Sequence, residues 1–167
     1  DAPIVRMALP SRLRDRVAIA AAADVWFDGS PLGPPSELVF GAIPFGRTAD
    51  VRASLERVAD LVNDGFSVII FPEGTRSADG RALPMREGIG LLVRTLHVPV
   101  VPAYIDGAHE ILRKGTSLPR HRGRTVATVR FGPALEFDPE AAGREITARV
   151  GQAIAELGRQ RTADPLR

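Results

Sequence analysis

Apolar runs and helical periods alternate along this chain, and the alternation sets the expected order of its elements. RVAIAAA, residues 16–22, is an unbroken apolar run after its arginine and reads as a first strand. PPSELVFGAI, residues 34–43, opens with prolines and a serine cap and reads as a short helix stopped by Pro44. From Asp50 to Asn63 the positions Val51, Leu55, Val58, Leu61 and Val62 fall on one helical stripe, and Asn63-Asp64-Gly65 supplies the stop. SVIIF (67–71) is then a strand, REGIGLLVRTL (86–96) a helix, VPVVPAYI (98–105) extended, and TVATVRFG (125–132) an alternating strand. Residues 139–157 read as an amphipathic helix. Continuous apolar strands such as SVIIF are the kind that helices cover on both faces. The expected fold class is therefore α/β, with a mixed, mainly parallel sheet covered by helices.

Length and composition narrow the picture. A chain of 167 residues predicts a single domain spanning 1–167 with one sizeable core. Apolar residues at 44% and charged residues at 25% exclude a fibre or a disordered chain. The absence of cysteine excludes disulfides, zinc-thiolate sites and thiol nucleophiles. No apolar run approaches the roughly 18 residues of a membrane-spanning helix. The chain begins at Asp1 rather than at a methionine, which predicts a processed, trimmed or partial polypeptide.

Net charge is only +2, but the sequence pI is about 9.9 because nearly every basic residue is arginine, with Lys114 the sole lysine. SRLRDR (11–16) and RHRGR (120–124) are basic clusters, read either as contacts to anionic lipid headgroups or as solvated faces. Nucleic acid is not expected as a partner: aromatics are 5% of the chain, and none interleaves with basic residues as a single-strand groove requires.

Arg47 precedes the second helix and Arg76 follows the strand after it. A helix of about 14 residues advances roughly 20 Å. The strand and its approach return about as far at roughly 3.3 Å per residue. The spacing thus predicts that both guanidinium groups meet at one sheet edge, by the C-terminal ends of strands where open α/β folds keep ligands. Gly74 can take positive φ and expose backbone N–H groups, so PEGT can cradle an anion to which Arg76 adds a fork of donors. Glu73 would orient an arginine or accept from a substrate hydroxyl, which points to a ligand carrying both phosphate and hydroxyl. On spacing alone a second reading stands beside this one: Glu73 and Arg76 form an exposed ion pair on an ordinary glycine turn. Thr75 is read either as a ligand contact or as a turn cap.

Other chemistries fail residue by residue. His109-Glu110 begins a zinc-protease helix, but position 113 is Arg113, so no metal site is expected. GFSVI (65–69) has Ile69 where a hydrolase elbow needs its second glycine, and EGIGLLV has Val93 where a dinucleotide fingerprint needs its third.

FPEGTRS, Phe71 to Ser77, resembles the third sequence block of the glycerolipid acyltransferases, the 1-acylglycerol-3-phosphate acyltransferase and lysophospholipid acyltransferase family. IPFGR resembles the second block, whose arginine would be Arg47, and VPVVPAYIDG, Val98 to Gly107, resembles the apolar fourth. The likeness continues through REGIGLL and VRFGPAL. It implies that Arg47, Glu73, Gly74, Thr75 and Arg76 bind the acceptor phosphate and adjacent groups. VPVVP would shape the acyl side or the core, and its valines read as core. The family's first block is a histidine and an aspartate separated by four residues, the histidine acting as base and the aspartate fixing its tautomer. Positions 102, 114 and 126, five after the three histidines, are Pro102, Lys114 and Val126, so no such pair occurs in this sequence. Asp1 stands where the block's aspartate belongs. The expectation is a chain cut within that motif, lacking an upstream segment with the catalytic histidine and close to inactive as written.

The resemblance implies acyl transfer from a thioester, acyl-CoA or acyl-ACP, to the hydroxyl of a lysophospholipid in phospholipid biosynthesis, with no cofactor. The implied setting is cytoplasmic and peripheral, at the surface of the inner membrane face. Two alternatives stay open: a non-catalytic lipid- or phosphate-binding domain, and an acyltransferase module of a larger multifunctional protein.

Overall fold

In a computed structural model of the chain, the described residues are 2–22, 42–45, 51–75, 77–111 and 126–160. They divide into two compact units, residues 1–75 and 76–167.

The first unit is built around its central strand. Two short helices, α1 (Ala2–Ala8) and α2 (Ser11–Arg14), lead into β1 (Val17–Ala22). Val17, Ala18 and Ile19 are buried in succession, which requires cover on both faces of the strand. β1 pairs in parallel with β2 (Ala42–Phe45) on one side and β3 (Ser67–Ile69) on the other, giving the order β2-β1-β3. Ile19 is level with Ala42 in one neighbour and with Ile69 in the other. Joining β2 to β3 therefore needs a crossover past β1, and helix α3 (Val51–Asn63) lies within it and packs on both strands.

α3 follows its predicted stripe: Val58 is 1% exposed, and Ser54, one turn earlier on the same face, is also buried. Its end is a Schellman motif. Gly65, at φ +80°, donates its N–H to the Val62 carbonyl, and Phe66 donates to Leu61. The Arg16 guanidinium donates to the Asp64 carbonyl at 3.2 Å and lies over the Phe66 ring, placing positive charge at this helix C-terminus.

The short helix expected over 34–43 is corrected at its end, where Ala42 and Ile43 belong to β2; residues 34–41 lie outside the described set. Pro44 sits inside the strand rather than stopping a helix. β2 is at the edge of the described sheet, where one row of N–H groups needs no ladder partner, so a residue without an N–H is accommodated.

The second unit has its own core. α4 (Gly88–Leu96) and α6 (Gly143–Arg159) pack against each other, and α6 also covers β4 (Ala103–Asp106). The four-residue helix α5 (Ala108–Ile111) follows β4, and β5 (Thr128–Phe131) pairs antiparallel with it. A bridge between Val100 and Leu135 extends this ribbon. Ile146, Val150 and Leu157 recur on one face of α6 and are buried with Leu92, Val93 and Pro102. Of VPVVP it is Pro102 that is fully buried, while Val101 is 55% exposed, which corrects the expectation that the valines supply core.

The α4–α6 contact depends on a missing side chain. A methyl on Gly90 would stand 1.8 Å from the Gly143 carbonyl oxygen and 2.6 Å from Thr147 Oγ1. Gly88, in the same helix, would meet nothing within 4 Å. Gly90→Ala is expected to lower the urea midpoint, at a cost of roughly 1–3 kcal/mol as for an overpacked core. Gly88→Ala should leave stability unchanged or slightly higher. Equal midpoints for the two variants would contradict this helix crossing.

Candidate functional site

β3 ends at Ile69, and the chain then runs into a tight corner. Gly74 donates its N–H to the Phe71 carbonyl at 3.0 Å, so Phe71, Pro72, Glu73 and Gly74 form a β-turn. The order of residue types explains it: proline's locked φ suits the second position, and glycine is favoured at the fourth. Gly74 itself takes φ +69°, a region that costs a residue with a Cβ about 1–2 kcal/mol. Backbone conformation, set by Pro72 and Gly74, therefore makes the sharp exit. Glu73 and Gly74 are half-buried there and Thr75 is exposed.

Of the residues singled out from sequence, the structure brings Glu73, Gly74 and Thr75 together on this corner. Asp1, Arg47 and Arg76 lie outside the described residues. The backbone nevertheless fixes one relation within the first unit. Because β2 and β3 both run parallel to β1, their C-terminal ends share one edge of the sheet, separated by β1 alone. At about 4.8 Å per strand, that is a spacing of roughly 10 Å. Arg47 follows β2 by two positions in sequence, and the Phe71–Gly74 turn follows β3.

Immediately beyond Arg76, a group of residues missed from sequence forms a hydrogen-bonded knot. Ser77 Oγ donates to Asp79 Oδ1 at 2.9 Å, and the Arg81 N–H donates to the same oxygen at 3.0 Å. The Asp79 N–H donates back to Ser77 Oγ at 3.3 Å, and the Arg81 guanidinium stands 3.8 Å from Asp79 Oδ2. The signal was the string Ser77-Ala78-Asp79-Gly80, since serine and aspartate next to glycine are side chains that bond their own backbone.

In the second unit a cavity of about 240 Å³ is lined by residues that include Arg94, His97, Glu136 and Asp138. Val98 and Pro99 of the VPVVP segment also line it. His97 closes α4 in the left-handed region at φ +51°, its N–H donating to the Val93 carbonyl. Among the described residues, no three His, Asp or Glu side chains cluster as metal ligands.

The Arg81 N–H, and then the Ser77 hydroxyl, hold the Asp79 carboxyl below its ordinary range, because both donate to its ionised form. A carboxylate with a depressed folded-state pKa steadies the fold above its unfolded pKa, and that contribution is lost as pH falls through the lower, folded value. An NMR titration is expected to place the Asp79 midpoint below the usual aspartate value of about 3.9. Ser77→Ala should move it back upward. A midpoint at or above the usual value would show that the knot does not form.

Residues 1–106 match the family model described as Acyltransferase. The chain is similar to the 1-acyl-sn-glycerol-3-phosphate acyltransferase of Limnanthes alba, at 40% identity over 91 residues covering 54% of this chain and 31% of that protein. It is also similar to the enzyme of that name from Cocos nucifera, at 36% identity over 93 residues, 56% of this chain and 30% of the relative. The matches thus span about a third of those relatives' length. Among solved structures, the 1-acyl-sn-glycerophosphate (LPA) acyltransferase PlsC of Thermotoga maritima superposes with a TM-score of 0.59 at 19% identity, over 88% of this chain and 59% of that one. That likeness shows the fold, an α/β acyltransferase fold. With well over half of its residues, including the FPEGTRS corner, inside the matched region, this chain belongs to the Acyltransferase family.

Proposed function

We propose that this chain is the acyltransferase domain, 1–167, of an enzyme that moves a fatty acyl group from a thioester to the free hydroxyl of a lysophospholipid. The acceptor that fits best is 1-acylglycerol-3-phosphate, the substrate in the relatives' names. The observation carrying this reading is the Phe71–Gly74 corner, formed at the C-terminal edge of a parallel sheet in a chain of this family.

The chemistry assigned to each residue follows from its donors and acceptors. Arg47 and Arg76 grip the acceptor phosphate, and Thr75 adds a donor beside them. The Gly74 N–H is already committed to the Phe71 carbonyl, which leaves Thr75 as the donor of that pair. Glu73 orients a guanidinium or accepts from a glycerol hydroxyl. Asp1 fixes the tautomer of a histidine base carried by a segment upstream of residue 1. That base takes the acceptor proton as the oxygen attacks the thioester carbonyl. Collapse of the tetrahedral intermediate expels the thiolate, which recovers the proton. Acyl-CoA and acyl-ACP present the same thioester, and no cofactor is required. Because the acceptor is a bilayer lipid, the domain works at a membrane surface, at the cytoplasmic face of the inner membrane.

Two measurements test this. Residues 1–167, in which no histidine precedes an aspartate by five positions, should transfer acyl groups near background, and a longer polypeptide with that histidine upstream should be active. Equal activity of the two lengths contradicts the assigned base; phosphate-lipid binding without turnover in both favours a non-catalytic binding domain. In the longer polypeptide, Arg76→Ala should raise KM for lysophosphatidate by about ten- to a hundredfold, as for a lost charge-assisted bond, with little change in KM for the acyl donor. An effect confined to the donor would overturn the phosphate assignment.

A further inference from the structure

The first unit exposes two large apolar side chains at its N-terminal corner, Met7 at 72% and Leu13 at 45%. Met7 lies on α1 and Leu13 on α2, and the Arg14 side chain ties the two helices together. Its guanidinium donates to the Met7 carbonyl at 2.8 Å and to the Leu9 carbonyl at 2.9 Å. Arg6 ties α1 to β1 in the same way, donating to the Val17 carbonyl at 3.2 Å. The corner is thus a braced piece of the fold in which two apolar side chains face water.

Its charge is one-sided. Residues 1–16 carry four arginines, Arg6, Arg12, Arg14 and Arg16, against two carboxylates, Asp1 and Asp15. Arg14 and Arg16 bond backbone carbonyls, which take up donors without neutralising charge. Arg12 is exposed beside Leu13. Exposed apolar side chains beside an exposed arginine, in a segment with more arginines than carboxylates, are the complement of an anionic lipid surface, where side chains enter the headgroup boundary while guanidinium groups meet phosphates.

We propose that the α1–α2 corner is the surface by which this domain docks on an anionic bilayer, through insertion of Met7 and Leu13 and electrostatic attraction centred on Arg12. This rests on the reading that the acceptor is a bilayer lipid and assigns the residues that bring the domain to it. The same segment also contains Asp1, assigned above to the catalytic pair, so docking here would set the catalytic segment near the lipid surface.

The test is vesicle co-sedimentation of residues 1–167, with phosphatidylcholine vesicles and with phosphatidylcholine mixed with phosphatidylglycerol. Neither contains lysophospholipid or thioester, so failure here leaves the acyl-transfer reading standing. The chain should bind the anionic vesicles and not the neutral ones, and binding should weaken as salt rises. Arg12→Gln should reduce the partition coefficient about fivefold. Met7→Ser combined with Leu13→Ser should reduce it at least tenfold. Arg52→Gln, at a 93% exposed side chain on α3, and Val126→Ser, at an exposed valine of the second unit, should leave it unchanged. Equal binding to both vesicle types, or wild-type binding by the Met7/Leu13 variant, would overturn the proposal. So would concentration-dependent dimers that the same variant abolishes in a chain that binds no vesicles, since the corner would then be a contact between copies.

Discussion

The parallel pairing of β1 with both neighbours is the constraint on which the first unit depends. Three consecutive buried residues, Val17, Ala18 and Ile19, make β1 a strand that water must not reach from either face, so it takes the middle position. With β2 and β3 on its two sides and running the same way, the chain must cross over through α3, and both outer strands must end at one edge. Everything assigned to that edge follows from this arrangement. The Phe71–Gly74 turn is at that edge because β3 delivers it there, and the segment leading to Arg47 begins there because β2 does.

At the corner itself the division of labour is between backbone and side chains. Pro72 and Gly74 fix the path, and the Gly74 N–H is used up in closing the turn. A phosphate would then be held by charge from arginines more than by a ring of neutral N–H groups, which accords with a chain whose basic residues are almost all arginine. The Ser77–Asp79–Arg81 knot continues this economy. One exposed carboxylate accepts two local hydrogen bonds and stands in an ion pair with the Arg81 guanidinium, and it does so just after the motif's arginine.

Much of this was legible in the sequence, and the parts that were not have identifiable causes. α3 was readable because a stripe of Val51, Leu55, Val58 and Leu61 has only one helical interpretation, and because Gly65 marks its Schellman end. The outline of β1, β3, α4 and α6 followed from the same periodicities. Pro44 misled because proline stops a helix and also tolerates a sheet edge, and only the strand order shows which applies. VPVVP misled because valine is common in buried strands, while burial there fell to Pro102. The Gly90–Gly143 approach is tertiary, and no local pattern announces which of two nearby glycines must lack a side chain. At the site, Gly74's left-handed turn was expected from its residue type. The assignment of Arg47, Arg76 and Asp1 rests on the family resemblance, since those three residues lie outside the described set.

The central claim, that the glycine-turned corner after β3 receives a phosphate ester, is tested most directly by following backbone amide resonances during titration with sn-glycerol 3-phosphate, with glycerol as the control. The account predicts saturable shifts at Gly74 and Thr75 with the phosphate ester, none with glycerol, and loss of the response in Arg76→Gln. Identical behaviour with both compounds, or shifts located elsewhere in the chain while this corner stays silent, would contradict it.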